Sequence, residues 1–190
     1  MSQNILMIVN HSIIKLYENS SFETVSDELL FGHEFRIISS TAFSFKIETL
    51  YGYQGYIKKE GFSFKPSFFS KRLSVCSKFA DVYPSFDILK EPCITLFSDS
   101  IVYVLEESEK WYKIHLGNGL FGYINKKCVC ECAEIFAPYG YMSNIEESKD
   151  LRDRLRKSAF SFYGTQYRWG GKSIIGIDCS GLCFMKSILS

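Results

Sequence analysis

The feature that most restricts the fold of this chain is a β pattern that occurs twice. Phe45-Lys46-Ile47-Glu48-Thr49 followed by Gln54-Gly55-Tyr56-Ile57 has its counterpart in Tyr112-Lys113-Ile114-His115-Leu116 followed by Phe121-Gly122-Tyr123-Ile124. In each copy aromatic and β-branched residues alternate with polar ones, and a glycine-bearing turn (Gly52, or Gly117-Asn118-Gly119) separates the two runs, as in a hairpin. Short strand-like runs precede each hairpin: Ile5 to Val9 and Phe35 to Ile38 in the first copy, Ala80 to Tyr83, Ile94 to Phe97 and Ile101 to Glu106 in the second. Leu29-Leu30-Phe31-Gly32 reads as a turn carrying an apolar plug. Such self-similarity predicts two small β units in tandem. An aromatic content of 16%, with 17 Phe and 12 Tyr, suits cross-strand ring packing in units of that size. Between the copies, Ser63 to Ser77 carries Phe64, Phe68 and Phe69 with Lys65, Lys71 and Arg72 around Pro66. This stretch reads as a connector packed on a barrel; it is short and the chain is nearly neutral, which disfavours binding to single-stranded nucleic acid.

The second informative stretch lies near the end. Tyr163-Gly164-Thr165-Gln166-Tyr167-Arg168-Trp169-Gly170-Gly171 is followed by Gly176-Ile177-Asp178-Cys179-Ser180-Gly181-Leu182. The glycines permit a tight loop up to Asp178, and Leu182, Met185 and Leu189 then recur at helical spacing without a proline. A cysteine at the first turn of that helix sits at the positive end of the macrodipole, where a thiolate is stabilised. Cys179 is therefore the candidate nucleophile; the competing reading is an inert cysteine packed as a small hydrophobe.

The pattern G-x-x-Y-x-W-G-G followed by G-x-D-C-S-G-L, from Tyr163 to Leu182, resembles the nucleophile segment of the NlpC/P60 cell-wall cysteine peptidases, a papain-like class. Beside it, the repeated β units look like bacterial SH3 (SH3b) modules, small barrels that often precede such domains. The resemblance implies a γ-D-glutamyl–L-diamino-acid endopeptidase acting on short murein peptides, L-Ala-γ-D-Glu-diamino acid, without a cofactor. Cys179 would attack the γ-D-Glu carbonyl to form an acyl-enzyme, its backbone N–H assisting the oxyanion. Tyr167 would lie beside the nucleophile, Asp178 and Ser180 would hold the substrate's amino end, and Trp169 would wall the cleft. Ordinary aromatic packing competes with those roles for Tyr167 and Trp169. In the two-barrel branch an acid and a tyrosine of the first SH3b module recognise a free N-terminal L-Ala. Tyr53 matches the tyrosine; at the acid's place this chain has His33, with Glu34 one step on, and Glu34 reads equally as a solvated strand-end residue.

Departures from the family pattern are equally specific. The family's histidine base and third polar residue follow the cysteine, whereas His11, His33 and His115 all precede Cys179. The expectation is a chain carrying only the nucleophile half of a catalytic domain, inactive as a peptidase by itself. The alternative is an SH3b peptide-binding or interaction module with a vestigial catalytic remnant.

Charge and cysteine usage bound the remaining classes. Lys+Arg 22 against Asp+Glu 21 gives a net charge of +1, which argues against nucleic acid as a partner. No run approaches the ~20 apolar residues of a membrane helix. Met1 to Val9 lacks a basic region and a cleavage site, and the seven cysteines are an odd number, so reduced thiols and a cytoplasmic setting are expected, with association with the cell envelope left open. Cys128, Cys130 and Cys132 alternate, placing them on one face if they lie on a strand; no second pair or histidine partner completes a metal site, and no metal is expected.

The fold class expected is mostly β with a C-terminal α part: two small SH3b-like β-barrels followed by the N-terminal helical portion of a papain-like α+β domain. The boundaries expected are 1–62 for the first barrel, 63–77 for the connector, 78–136 for the second barrel and 137–190 for the incomplete catalytic part. Ser143-Asn144-Ile145-Glu146 reads as a capping box that opens a helix with Leu151, Leu155, Ala159 and Phe162 on one face.

Overall fold

The computed structural model describes residues 5–131, 153, 156 and 159–189, with side chains placed as far as Phe184. Fourteen strands form two seven-stranded antiparallel sheets. The first contains β1 (Leu6–Val9), β2 (Ile13–Tyr17), β3 (Val25–Leu30), β4 (Glu34–Ser40), β5 (Ser44–Thr49), β6 (Gln54–Lys58) and β7 (Phe62–Phe64). The second contains β8 (Lys71–Val75), β9 (Phe79–Tyr83), β10 (Ile94–Phe97), β11 (Ile101–Glu107), β12 (Trp111–Gly117), β13 (Leu120–Asn125) and β14 (Val129–Glu131). The strand orders are β3-β2-β6-β5-β4-β1-β7 and β10-β9-β13-β12-β11-β8-β14, so every strand recurs seven places later in an equivalent position.

The repeat extends to register. Ile47 of β5 pairs with Gly55 of β6, and Ile114 of β12 pairs with Gly122 of β13. Both glycines are required by close approach: a Cβ on Gly55 would meet Leu16 Cγ at 2.7 Å, and one on Gly122 would meet Val82 Cγ1 at 2.6 Å. The first core gathers Met7, Val9, Leu16, Leu29, Phe35, Ile47 and Ile57. In the second, Leu73, Val75, Val82, Leu96, Val102, Ile114 and Ile124 take the corresponding role.

One residue breaks the equivalence. Phe31 follows β3 but is fully buried in the core of the second sheet, worth roughly 1.5–3 kcal/mol for a ring moved out of water. It projects from the turn Leu30–His33, which has the same hydrogen bonds as the turn Phe97–Ser100 of the second copy. His33 N–H donates to Leu30 O at 3.0 Å and Ser100 N–H to Phe97 O at 3.0 Å; Gly32 N–H donates to Val9 O and Asp99 N–H to Val75 O. The two turns meet. Ile101 N–H donates to Phe31 O at 2.8 Å, and His33 Nε2 donates to Asp99 O at 3.2 Å. Gly32 (φ +75°) has no room for a side chain, because a Cβ would lie 1.9 Å from Ile101 O; Asp99 occupies the equivalent left-handed position (φ 68°) in the second copy.

These observations correct the expected fold class. The described residues are nearly all β, and among them there is no papain-like α+β domain and no pair of small barrels followed by a helical half-domain. The physical reason lies in the stretch 63–77. Expected as a connector packed on a barrel, it contributes the end of β7, which pairs with β1, and β8, which pairs with β11 and β14, so each copy has seven strands. Among the described residues, helix occurs in α1 (Cys179–Leu189), at Ala159–Ser161 and at Asp153 and Arg156, besides one 3₁₀ turn. The capping box at Ser143–Glu146, and Leu151 and Leu155, lie outside the described residues. Cys128 and Cys130 do not share a strand: Cys128 ends a 3₁₀ turn (Lys126–Cys128) and Cys130 is exposed on β14, while Cys132 lies outside the described residues. No helix among the described residues is long and apolar enough to cross a membrane.

Candidate active site

The cysteine segment folds as a knot of short contacts around Asp178. β15 (Lys172–Ser173) and β16 (Gly176–Ile177) form a two-stranded hairpin, and α1 starts directly after Asp178. Asp178 Oδ1 accepts the Gly181 N–H at 2.6 Å and the Ser180 Oγ–H at 2.6 Å, the geometry of an N-cap. Its other oxygen accepts the Gly170 N–H at 2.8 Å, and its own N–H donates to Gly171 O at 3.2 Å. Burial pushes this carboxyl up, but the hydrogen bonds from Gly181, Ser180 and Gly170 outweigh it and hold Asp178 below the usual carboxylate range. The glycines are dictated by contact: a Cβ on Gly181 would lie 2.1 Å from Gly171 O, and Gly170 sits at φ +70° against Val25 and Asp27.

Cys179 therefore occupies the first helical position, with its side chain exposed. Its side chain is not packed in the interior as a small hydrophobe would be. An open cleft of about 470 Å³ lies beside it, lined by Cys179, Asp178, Tyr167, Thr165, Tyr163, Phe160 and further apolar side chains. Tyr167 is held at the rim by a parallel bridge to Ile177 and keeps 67% of its surface exposed.

The remaining sequence-derived candidates are distributed less tightly. Ser180 joins the site through its bond to Asp178. Trp169 is 63% exposed on the same loop but does not line the cleft. Tyr53 stands at the turn between β5 and β6, its N–H bonded to Thr49 Oγ1, and also lies outside the cleft lining. Glu34 is buried between the two sheets, its carboxylate held by Lys65 Nζ at 3.0 Å, Tyr103 Oη at 2.8 Å and Arg72 Nε at 3.7 Å. The charged groups that occupy Glu34 come from the stretch 63–77.

Reading the sequence missed a buried ionic cluster under the loop. Lys172 Nζ lies 2.7 Å from Asp27 Oδ1 and 2.8 Å from Oδ2, and donates to Tyr51 Oη at 3.0 Å. Tyr51 in turn donates to Asp27 Oδ2 at 2.6 Å. The ammonium also faces the rings of Phe184 at 3.9 Å and Tyr51 at 4.5 Å. Next to it, Glu28 Oε2 accepts the Lys172 backbone N–H at 3.1 Å, and Arg168 approaches Glu28 Oε1 at 4.0 Å. Burial raises the Glu28 carboxyl despite Lys172 and Arg168, lowers the Lys172 ammonium despite Asp27, and raises the Tyr51 phenol with Asp27 adding to the effect. Around these charges Leu30 and Ile13 of the first sheet pack with Phe162, Ile174, Ile177, Leu182 and Phe184. A signal was present in Asp27-Glu28, two acids in a strand that continues into Leu29-Leu30. Nothing in the pattern paired them with a lysine 145 positions away.

None of the three histidines lines the cleft. His33 is buried in the turn contact between the sheets, where burial and the nearby Lys172 and Arg72 charges lower it to about 3; His115 Nδ1 accepts the Gly117 N–H. His11 borders a groove between the two sheets and Ile175. Among the described residues no group of three or more His, Cys, Asp or Glu side chains is arranged to hold a metal ion.

No family model matches the chain. Over 175 residues it is 30% identical to a dipeptidyl-peptidase 6 of Lysinibacillus sphaericus, an alignment covering 86% of this chain and 61% of that protein. The chain thus spans less than two thirds of the length of the relative it matches. Its fold is similar to the crystal structure of an NlpC/P60 family protein from Bacillus cereus ATCC 10987, with a TM-score of 0.74 over 96% of this chain and 72% of that one, at 16% identity. The chain shares, then, a fold with an NlpC/P60 protein and close to a third of its aligned residues with a bacterial dipeptidyl-peptidase.

Proposed function

We propose that the chain presents the nucleophile of a cysteine peptidase that cleaves short murein peptides after γ-D-Glu, with a free N-terminal L-Ala on the substrate. The observation that carries this reading is Cys179, exposed at the first position of α1 behind the Asp178 cap and open to the Tyr167 cleft. A carbonyl attacked by a sulfur at this position meets the helix N-terminus, whose unpaired N–H groups favour its oxyanion. Tyr167 borders the space the scissile carbonyl would enter, and Ser180 braces the Asp178 carboxylate beside it. Acyl transfer also needs a proton acceptor for the thiol and a donor for the leaving amine. None of the three histidines lines the cleft, so the chain alone binds and is alkylated but does not turn substrate over.

The test compares iodoacetamide labelling of Cys179 with that of Cys183, with and without the tripeptide L-Ala-γ-D-Glu-L-Lys. Faster labelling of Cys179 near neutral pH, slowed by the tripeptide, is the expected result. Equal labelling of both cysteines, indifferent to the tripeptide, removes the peptidase reading and leaves an interaction module as the better account.

A further inference from the structure

We propose that Asp27 and Glu28 of β3 are positioning residues for Cys179, acting through the loop Arg168–Lys172. The inference rests on the peptidase reading and extends it to the first sheet.

The argument begins with which groups the acids hold. Glu28 reaches Arg168 at one end of the loop and the backbone N–H of Lys172 at the other, while Asp27 takes the Lys172 ammonium with both oxygens. Gly170-Gly171 is thus bracketed between two anchored residues. The bracketed pair makes the contacts that set the start of α1: Gly170 N–H to Asp178 Oδ2, Asp178 N–H to Gly171 O, and the tight approach of Gly181 to Gly171 O. A shift of Gly171 by a few tenths of an ångström must therefore disturb the Asp178 cap or push on Gly181, and either moves Cys179. Tyr167, beside Arg168, is tied to the same loop and forms the other side of the cleft.

Apolar contacts seat this assembly too, since Leu30 and Ile13 pack under Ile177, Leu182 and Phe184. Such contacts are non-directional and tolerate sliding. Charge-assisted hydrogen bonds fix direction and distance, and a buried ion pair is best attested as a device for setting register. The cluster is enclosed on every side: Tyr51 from the β5–β6 turn completes the polar contacts, and the rings of Tyr51 and Phe184 cover the ammonium. The cleft beside Cys179 and the two grooves at His11 are lined by other residues, which fits a part that holds the loop and does not touch substrate.

The experiment uses the whole chain. Trypsin releases Ser173–Lys186, which contains both Cys179 and Cys183, so the ratio of their iodoacetamide labelling rates is read within one peptide by mass spectrometry. Asp27→Asn keeps the shape and removes the charge. It should lower the Cys179-to-Cys183 rate ratio by roughly tenfold, the scale of loss from sub-ångström misplacement. Asp27→Glu should restore much of it, and Asp27→Asn added to Lys172→Met should lower it no further than Lys172→Met alone. General loosening of the fold also carries the ratio toward one, but it does so by raising the Cys183 rate, whereas displacement of the loop lowers the Cys179 rate and leaves the Cys183 rate where it was, so the two absolute rates are read along with their ratio. A wild-type ratio well above one that persists in Asp27→Asn and Glu28→Gln overturns the positioning role while sparing the peptidase reading. A wild-type ratio of one removes the peptidase reading, and this inference with it.

Discussion

Asp99 offers a sharp test of how the two sheets are joined. Its carboxylate is 1% exposed, and neither oxygen has a hydrogen-bond partner. Burial raises its pKa from 3.8 to about 7. A folded-state value above the unfolded one means that the folded chain binds the proton more tightly, so stability falls as pH rises from about 4 to about 7. Each pH unit of that gap is worth ~1.4 kcal/mol, or about 4 kcal/mol in all. His33, across the contact, acts oppositely: its value is lowered from 6.5 to about 3, so its contribution is complete above pH 6.5 and is lost on acidification. The two slopes nearly cancel in the wild-type chain, which hides both. Asp99→Asn separates them, because asparagine tolerates the left-handed backbone at φ 68° and never ionises. Urea unfolding of both proteins at half-unit intervals from pH 4 to pH 8 is the assay. The stability difference, mutant minus wild type, should be near zero at pH 4, climb through the range and level at up to about 4 kcal/mol above pH 7. A difference that stays flat across the range would refute the argument that Asp99 is a buried acid without partners.

Two other substitutions probe the join and the site. Phe31→Ala should cost about 3–5 kcal/mol by denaturant unfolding, because it empties a ring-sized space in the second core; a loss below 1 kcal/mol would mean the ring is not packed as described. Asp178→Ala removes the N-cap of α1 and should cost about 1–2 kcal/mol of stability while slowing Cys179 alkylation relative to Cys183; unchanged relative rates would show that the cap does not govern presentation of the sulfur.

How much of this was legible beforehand depends on the range of each interaction. Short-range patterns were readable: the hairpin from Phe45 to Ile57 and its counterpart from Tyr112 to Ile124 form as their alternation implies, and the glycines before Asp178 lead into a helix that starts at Cys179. Long-range pairing was not. The stretch 63–77 looks irregular because Pro66 and its polar flanks interrupt any period, yet its ends complete both sheets through partners far away in the sequence. Glu34 was read from its offset after a turn, but the decisive facts are Lys65, Arg72 and Tyr103, which only the folded chain brings to it. The same limit hid the Asp27–Lys172 contact: charges advertise themselves in a sequence, their partners do not.

The plug has one more consequence, for chain growth. Arrays of like units lengthen when each unit offers its successor the surface that it received itself. At the place where the first copy carries Phe31, the second carries Ser98, followed by Asp99 in place of Gly32. A hydroxyl cannot fill a neighbour's interior as a phenyl ring does, so this turn joins the two copies in one direction only, the first giving the plug and the second receiving it.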